Sequence, residues 1–139
     1  MQRTTRQNEE MTLLVGLKAR AAALLGVSAE ARAEAYLLKQ GLILVTRNWR
    51  CPLGELDVVM SDGESLVIVE VRARSSLGYG GALGSITAKK RGRLMRTAQA
   101  FQQAHPQWQD SSIRFDVVSF EADGRGQWLK NAFDTDTAA

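Results

Sequence analysis

Residues 55–72 read E-L-D-V-V-M-S-D-G-E-S-L-V-I-V-E-V-R. Both halves of this stretch are rich in Val, Ile and Leu, and the Asp-Gly pair between them tolerates a chain reversal, so the pattern predicts two strands joined by a tight turn. Because side chains alternate across a strand, Glu55 and Asp57 are predicted to share one face of the first strand. By the same alternation, Glu70 and Arg72 share one face of the second strand.

These charges lie inside apolar strands and need partners, because burying an unpaired charge is costly. A divalent cation held by acidic oxygens is one obvious partner. On paired strands in a suitable register, Asp57 and Glu70 can bind one Mg²⁺, with the main-chain carbonyl of Val71 and waters completing the oxygen shell. Such a metal lowers the pKa of a bound water and offsets charge on a phosphate, so the residues favour phosphodiester hydrolysis.

The composition narrows the class of protein. A chain of 139 residues with 45% hydrophobic content is typical of a single soluble domain. The single cysteine, Cys51, excludes a disulfide framework and a zinc thiolate cluster. The single histidine, His105, sits beside Pro106 near the end of a predicted helix, which argues against a His-based metal site and a Ser/His/Asp triad. We expect a cytoplasmic protein with no membrane partner, because no apolar run reaches membrane-spanning length and no convincing signal peptide is present.

One folded domain is predicted over residues 28–133. Residues 1–27 lack a clean hydrophobic period, and we expect them to form a partly disordered extension. Residues 134–139 are expected to be a disordered tail. The glycine-rich residues 75–85 lack the order G-x-x-x-x-G-K-[ST] of a P-loop, so they predict a flexible loop and no cradle for a nucleoside triphosphate.

A first helix is predicted between Ser28, a favourable N-cap, and Gln40. Its apolar stripe is predicted at three helically spaced positions: Ala31, Ala35 and Leu38. Glu34 falls inside that stripe and is predicted to point toward the body of the protein. The alternative is a carboxylate at the edge of the stripe that reaches solvent or pairs with an arginine.

A short buried strand is predicted over residues 42–46, followed by R-N-W-R and a turn. Arg47 and Arg50 flank Trp49 in this segment. In one interpretation the arginines contact phosphate while the Trp stacks on a base. In the other, Trp49 caps the core and the arginines face water.

A basic block follows the acidic strand pair. Residues 71–109 contain no Asp or Glu and seven basic residues: Arg72, Arg74, Lys89, Lys90, Arg91, Arg93 and Arg96. Such a block is typical of a protein with a polyanion partner, although a solvated helix face is the commoner explanation of any single charge run. Most of the block falls in a second helix, which Thr87 caps and which ends near Ala104, with the apolar stripe Leu94, Ala98 and Phe101. A final strand is predicted over residues 113–120, and a short extra strand around Trp128.

Several motifs together resemble one family. They are A-E-A-Y-L, G-L-I-L-V-T-R-N-W-R-C-P-L-G-E-L-D-V-V, V-I-V-E-V-R-A-R-S, T-A-K-K and R-F-D-V-V. Over residues 28–120 the chain resembles the YraN family of uncharacterised bacterial proteins, which are similar to archaeal Holliday-junction resolvases and thus to PD-(D/E)XK nucleases. The resemblance implies a restriction-endonuclease-like α/β fold, a mixed sheet of four to five strands flanked by helices.

The same likeness implies roles for individual residues. Asp57 and Glu70 would be ligands of Mg²⁺ or Mn²⁺, with Glu34 as a helical acid that assists them and Arg72 as the fourth member of the catalytic set. DNA, structured or branched, is the expected partner, and its predicted contacts are Arg47, Arg50, Arg74, Lys89, Lys90 and Arg93.

The chain departs from the nuclease pattern at two positions. Leu56 replaces the proline of the motif, which supplies no ligand. Arg72 replaces the lysine of E-x-K, which in this superfamily is thought to orient or help deprotonate the attacking water. Arg72 keeps the positive charge and can grip phosphate, but it cannot serve as a base. Lys89 or Lys90, at the start of the next helix, can supply the missing ammonium if either reaches the site.

The sequence therefore favours a metal-dependent endonuclease acting on branched DNA. A homodimer is the form expected from the resemblance, because resolvases cut two strands symmetrically. The alternative is a DNA-binding module that keeps the fold and the basic surface without turnover. A third interpretation gives the basic surface an acidic protein as its partner.

Overall fold

Five strands form one mixed sheet between two helices, which confirms the predicted α/β fold class. The computed structural model describes residues 28–73, 86–121 and 124–133. The helices and strands, in chain order, are α1 (Ala29–Lys39), β1 (Ile43–Cys51), β2 (Gly54–Ser61), β3 (Ser65–Ala73), α2 (Ala88–Ala104), β4 (Ser112–Phe120) and β5 (Gly126–Phe133). A short 3-10 turn, Pro106–Trp108, lies between α2 and β4.

The order of strands in the sheet follows their order in the chain. The pairs β1–β2, β2–β3 and β4–β5 are antiparallel, whereas β3 and β4 are parallel. A parallel pair needs a crossover connection, and α2 lies in that connection. As a result α2 packs on one face of the sheet, and α1, which precedes β1, packs on the other.

Four of the predicted features lie outside the described ranges: the extension 1–27, the glycine-rich residues 75–85, the tail 134–139 and Arg74, one of the predicted DNA contacts. Within the described ranges, no helix combines the length and the apolar character that crossing a bilayer requires.

Alternating strand residues fill two cores, one on each face of the sheet. The core beneath α2 consists mainly of Leu56, Val59, Leu66, Ile68, Leu94, Ala98, Phe101, Phe115 and Val117. The core beneath α1 consists mainly of Ala33, Leu37, Val58, Met60, Val67, Val69, Val118 and Phe120. The apolar stripe predicted for α2 is confirmed, because all three of its residues are buried.

The apolar stripe predicted for α1 is wrong. The helix buries Ala33 and Leu37, whereas Leu38 is 46% exposed. The other two residues of the predicted stripe are exposed as well; they are Ala31 and Ala35. Leu37 is larger than any alanine and stands one turn after Ala33, so the face that carries both removes more apolar surface from water. Glu34 is next to this face, and its side chain is 12% exposed.

β1 extends further than predicted. It continues through the R-N-W-R segment to Cys51 and pairs with β2 along its length, with a register shift between Leu44 and Thr46. Trp49 packs against the core beneath α2, where its ring meets Phe101 edge-on at 5.2 Å between centroids. This packing confirms the interpretation in which Trp49 caps the core.

Gly54 ends the β1–β2 turn at a point where α2 approaches the backbone. A Cβ atom at Gly54 would lie 2.8 Å from Oγ1 of Thr97 and 3.5 Å from the stem of Arg93. Thr97 is buried, and its hydroxyl donates to the carbonyl oxygen of Arg93 at 2.8 Å, which fixes its position. Glycine fits here because it lacks a Cβ, and the contact holds α2 against the strand that carries Asp57.

Asp116 on β4 is completely buried and accepts four hydrogen bonds. Arg114 donates two of them, from Nε at 2.9 Å and Nη2 at 3.0 Å. Nε1 of Trp128 and the main-chain N–H of Asn131 donate the others, each at 2.9 Å. Arg114 also donates to Oδ2 of Asp62 in the β2–β3 turn at 2.8 Å, so one network joins that turn to β4 and β5.

Replacing Asp116 is expected to destabilise the fold strongly. Asp116→Ala removes the acceptor for four donors and leaves Arg114 without its buried counter-ion, so we expect a loss of about 3–5 kcal/mol in the free energy of unfolding. The exposed Asp110 is the matched control, and Asp110→Ala should change stability by less than about 0.5 kcal/mol. Urea unfolding of both variants measures the difference, and equal midpoints would contradict the role of the network.

Candidate active site

The alternation of β2 changes at Asp57. Leu56 belongs to the core beneath α2, yet Val58, two residues later, belongs to the core beneath α1. In a regular strand residues two apart share a face. The β1–β2 ladder passes from the pair Trp49/Leu56 to the pair Arg47/Val58, so Asn48 stands opposite Asp57, and Asn48 has a positive φ of 51°. This irregular point turns Asp57 toward α1.

Asp57 also stands opposite Glu70. The last pair of the β2–β3 ladder is Val58 with Val69, and Asp57 and Glu70 are the next residue outward on each strand. On β3, Glu70 keeps the regular alternation of Leu66 and Ile68, so it faces α2. The two residues are therefore neighbours along the strands, although Asp57 lines the cleft beside α1 and Glu70 contacts α2. That they bind one metal together stays a prediction.

A cleft of about 190 Å³ lies between the start of α1 and the β1–β2 hairpin. Its lining residues are Ser28, Glu30, Ala31, Glu34, Arg47, Asn48, Asp57 and Val58. Ser28 fixes the start of the helix here, because its hydroxyl accepts a hydrogen bond from the main-chain N–H of Ala31 at 3.1 Å. The cleft thus brings Glu34 and Asp57 to one place and adds a third acid, Glu30.

Glu34 is bound by Arg47 across the cleft. Nε of Arg47 lies 2.6 Å from Oε1 of Glu34, and Nη2 lies 3.1 Å from Oε2, so the guanidinium and the carboxylate pair in a fork. The Arg47 side chain is 60% exposed. The hydrogen bond and the charge of Glu34 both raise the pKa of Arg47. The predicted alternative in which Glu34 pairs with an arginine is the arrangement observed.

Glu70 is bound by two cations on the face of the sheet that α2 covers. Its carboxylate is 10% exposed, and its Oε1 lies 2.8 Å from Nζ of Lys90 and 3.3 Å from Nη2 of Arg72. Both of these contacts are made to the same oxygen. The contact with Arg72 agrees with the predicted shared face of β3, and the contact with Lys90 shows that the start of α2 reaches the site.

Folding raises the pKa of the Asp57 carboxyl. Burial is the largest cause that raises the pKa of its carboxyl, and neighbouring carboxylates raise it further, in the order Glu70, Glu55 and Glu30. The nearby charge of Lys90 acts in the opposite direction. Negative charge is therefore concentrated at Asp57, and a cation placed there would be attracted.

Asp57→Asn should make the metal-free protein more stable at neutral pH. A carboxyl whose pKa is raised by folding binds its proton more tightly in the folded state, so stability falls as pH rises above the ordinary Asp value of 3.8. The side-chain amide of the asparagine does not ionise, so the variant does not lose this stability as the pH rises. Urea unfolding in EDTA should show the variant gaining on the wild type between pH 3 and pH 7. If the difference in unfolding free energy between the variant and the wild type is the same at pH 7 as at pH 3, the assignment is contradicted.

The donor set suits Mg²⁺ or Mn²⁺ bound by few protein ligands. Within the described residues, no group of three or more His, Cys, Asp or Glu side chains is arranged to hold a metal ion. Mg²⁺ commonly uses one or two carboxylates and keeps several waters, so Asp57 and Glu70 are ligands of the kind and number that it uses. Glu34, occupied by Arg47, lies in the same cleft as Asp57 and can act through water.

The predicted DNA contacts fall into separate groups. Lys89 and Arg93 are exposed along α2, and with Arg96 they form one face of that helix at spacings of four and three residues. These three form no ion pair within the described ranges. Arg50, whose side chain is 77% exposed, pairs with Glu55 at 3.1 Å near the hairpin end. Arg47 and Lys90 are engaged with the site acids.

Two residues of the cleft were missed by the sequence analysis. Glu30 stands four residues before Glu34, and this helical spacing places both acids on one side of α1. That spacing was the available signal. Asn48 interrupts β1, and Asn is among the residues that most readily adopt positive φ. Its position inside a predicted R-N-W-R segment could have indicated an irregular strand.

A model of the uncharacterised protein family UPF0102 matches residues 29–120. The chain belongs to this family. The match covers both helices, β1 to β4 and every acid of the candidate site, and it confirms the family resemblance found in the sequence. The assignment to PD-(D/E)XK nucleases goes further than this match and is a proposal.

Relatives within UPF0102 cover nearly the same part of the chain. The chain is 50% identical over 113 residues to the UPF0102 protein PSEEN4497 of Pseudomonas entomophila, covering 78% of this chain and 92% of the relative. It is 47% identical over 112 residues to a UPF0102 protein of Ectopseudomonas mendocina, covering 79% of this chain and 94% of the relative. The UPF0102 protein of Pseudomonas putida strain GB-1 is 50% identical over 113 residues.

Proposed function

We propose that this UPF0102 protein is a metal-dependent endonuclease that hydrolyses phosphodiesters in structured or branched DNA. The observation that carries the proposal is the cleft that contains both Glu34 and Asp57, because the β2–β3 ladder ends at Val58/Val69 and Asp57 and Glu70 are the next residues of their strands. Carboxylates concentrated at one point, next to a helix with only basic charges, are suited to a divalent cation and a polyanionic substrate.

Asp57 and Glu70 would hold the metal, Mg²⁺ or Mn²⁺, which when bound supplies a water of lowered pKa and positive charge beside the phosphate. The protein's own cations do the remaining work. Arg72 contacts Glu70 and holds its carboxylate in place. Arg47 binds Glu34 through Nε and Nη2, and its exposed guanidinium has further N–H donors that can contact a phosphate oxygen.

Cleavage of a fixed four-way junction and of a single-stranded flap tests this function. With Mg²⁺ or Mn²⁺ the wild type should cut at least one of them, and EDTA should abolish cutting. Glu70→Ala and Asp57→Asn should each lower the rate by about 100-fold or more, because each removes a carboxylate that would hold the metal and its positive charge beside the phosphate. Glu64→Ala, in the exposed β2–β3 turn, is the matched control.

Thermal unfolding gives a readout that does not depend on turnover. A metal that binds only the folded state raises the unfolding midpoint, and Asp57→Asn should abolish this rise while Glu64→Ala keeps it. If Glu70→Ala cleaves the DNA at the wild-type rate, the assignment of the site is wrong.

The second candidate function is DNA binding without turnover. It is favoured by the cations that already occupy both buried acids, Arg47 on Glu34 and Lys90 on Glu70. It is also favoured by the basic face of α2, whose charges are free of ion pairs within the described ranges. This function predicts junction binding with no cutting, even in Arg72→Lys.

The basic face of α2 should set the salt dependence of DNA binding in either case. Each phosphate contact contributes about 0.9 to the slope of log Kd against log salt, so replacing Lys89, Arg93 and Arg96 with Ala together should lower that slope by about 2.7. Lys39→Ala, an exposed lysine at the end of α1, should leave it unchanged. Titration of the junction in EDTA at several salt concentrations measures it. If the triple variant keeps the wild-type salt slope, α2 is not part of the DNA interface.

A further inference from the structure

Lys90 occupies a position that the chemistry of its own helix does not favour. It is the third residue of α2, after the N-cap Thr87, and its main-chain N–H donates to Oγ1 of Thr87 at 3.1 Å. A Glu or Gln at this position would complete a capping box, whereas a cation opposes the helix dipole. The first turn of α2 contains no acidic residue that could compensate. The reason for a lysine therefore lies outside the helix.

The partner of Lys90 is Glu70 on β3. Nζ of Lys90 lies 2.8 Å from Oε1 of Glu70, and the Lys90 side chain is 38% exposed, so it contacts a nearly buried acid while remaining open to solvent. An ammonium has three donors. Within the described ranges Nζ makes this one ion pair, so the ammonium can also contact a group that approaches from solvent.

Arg72 is placed differently although it contacts the same oxygen. Its side chain is 18% exposed, its contact with Oε1 is longer at 3.3 Å, and its buried Nε has no hydrogen-bond partner. A planar guanidinium held in this way supports the Glu70 carboxylate from within the sheet. It is less accessible to an incoming phosphate than the ammonium of Lys90.

Lys89 provides the natural comparison. It carries the same charge in the same helical turn, but its side chain is exposed and forms no ion pair within the described ranges. The geometry thus separates two lysines that the sequence analysis could not tell apart. Lys90 belongs to the acid site, and Lys89 belongs to the basic face of α2.

We propose that Lys90 is a positioning residue that orients the attacking water against the scissile phosphate, in place of the lysine that E-x-R lacks. This inference rests on the proposed nuclease function. In this role one N–H of Lys90 donates to the water oxygen and another donates to a non-bridging phosphate oxygen. The water oxygen donates an electron pair to phosphorus, and the bond to the leaving sugar oxygen breaks with its pair. One water proton passes to solvent, and the sugar oxygen takes a proton from solvent.

Single-turnover cleavage of the junction in Mn²⁺, with binding measured separately in EDTA, tests the inference. Lys90→Ala should lower the rate at saturating protein by about 100-fold, while Kd changes by less than about threefold. Lys89→Ala should instead weaken binding and lower the salt slope by about 0.9. Lys39→Ala, at the exposed end of α1 and not among the residues that line the cleft, is the control for loss of a lysine.

The double variant Lys90→Ala with Arg72→Lys separates positioning from structure. A lysine at residue 72 returns a compact ammonium to Glu70, so it should recover at least about tenfold of the lost rate. Thermal unfolding of each variant accompanies the assay. If Lys90→Ala lowers the rate and the double variant does not recover it, Lys90 is a structural partner of Glu70 and the inference is overturned.

The failure of this inference is distinguishable from failure of the proposed function. If the wild type cuts and Lys90→Ala cuts at the same saturated rate, the role of Lys90 is overturned and the nuclease function stands. If the wild type cuts neither the junction nor a flap in Mg²⁺ or Mn²⁺, the nuclease function is overturned and the role of Lys90 with it.

Discussion

A carboxylate without any solvent exposure, Asp116, sets the constraint on which the sheet depends. An ionised carboxylate accepts about four hydrogen bonds, and Asp116 receives that number from Arg114, Trp128 and the backbone at Asn131. Its partners come from β4, from β5 and, through Arg114, from the β2–β3 turn. Since β3 pairs with β4 over its full length, fixing this turn against β4 also fixes where β3 presents Glu70.

The same requirement for charge compensation shapes the candidate site, with a different outcome. Glu34 and Glu70 are each paired with cations, whereas Asp57 has a raised pKa and lies among other acids. The compensation at Asp116 is complete and internal. At Asp57 the negative charge is only partly compensated, and such a position attracts an external cation. Incomplete compensation costs stability, and such costs are typical of functional positions.

Much of the fold and half of the site could be predicted from local patterns. The strand pair, both helix caps and the stripe of α2 follow from alternation, capping and helical spacing, which depend on residues near in sequence. The stripe of α1 could not be predicted in this way. A short alanine-rich helix has apolar residues on more than one side, and only the shape of the sheet decides which side is buried. The length of β1 was missed because its charged half is stabilised by pairing with β2.

The sequence by itself determined which residues carry charge inside apolar strands, and the family resemblance predicted that Asp57, Glu70 and Glu34 belong to one set. These conclusions depend on residue type and spacing alone. Only the tertiary structure decided how the set is arranged: the irregular point at Asn48 turns Asp57 toward α1, and Arg47 binds Glu34. Only the tertiary structure chose Lys90 over Lys89 as the cation at Glu70. Neighbouring residues of a helix point about 100° apart, so the packing of α2 on the sheet decides which lysine meets β3.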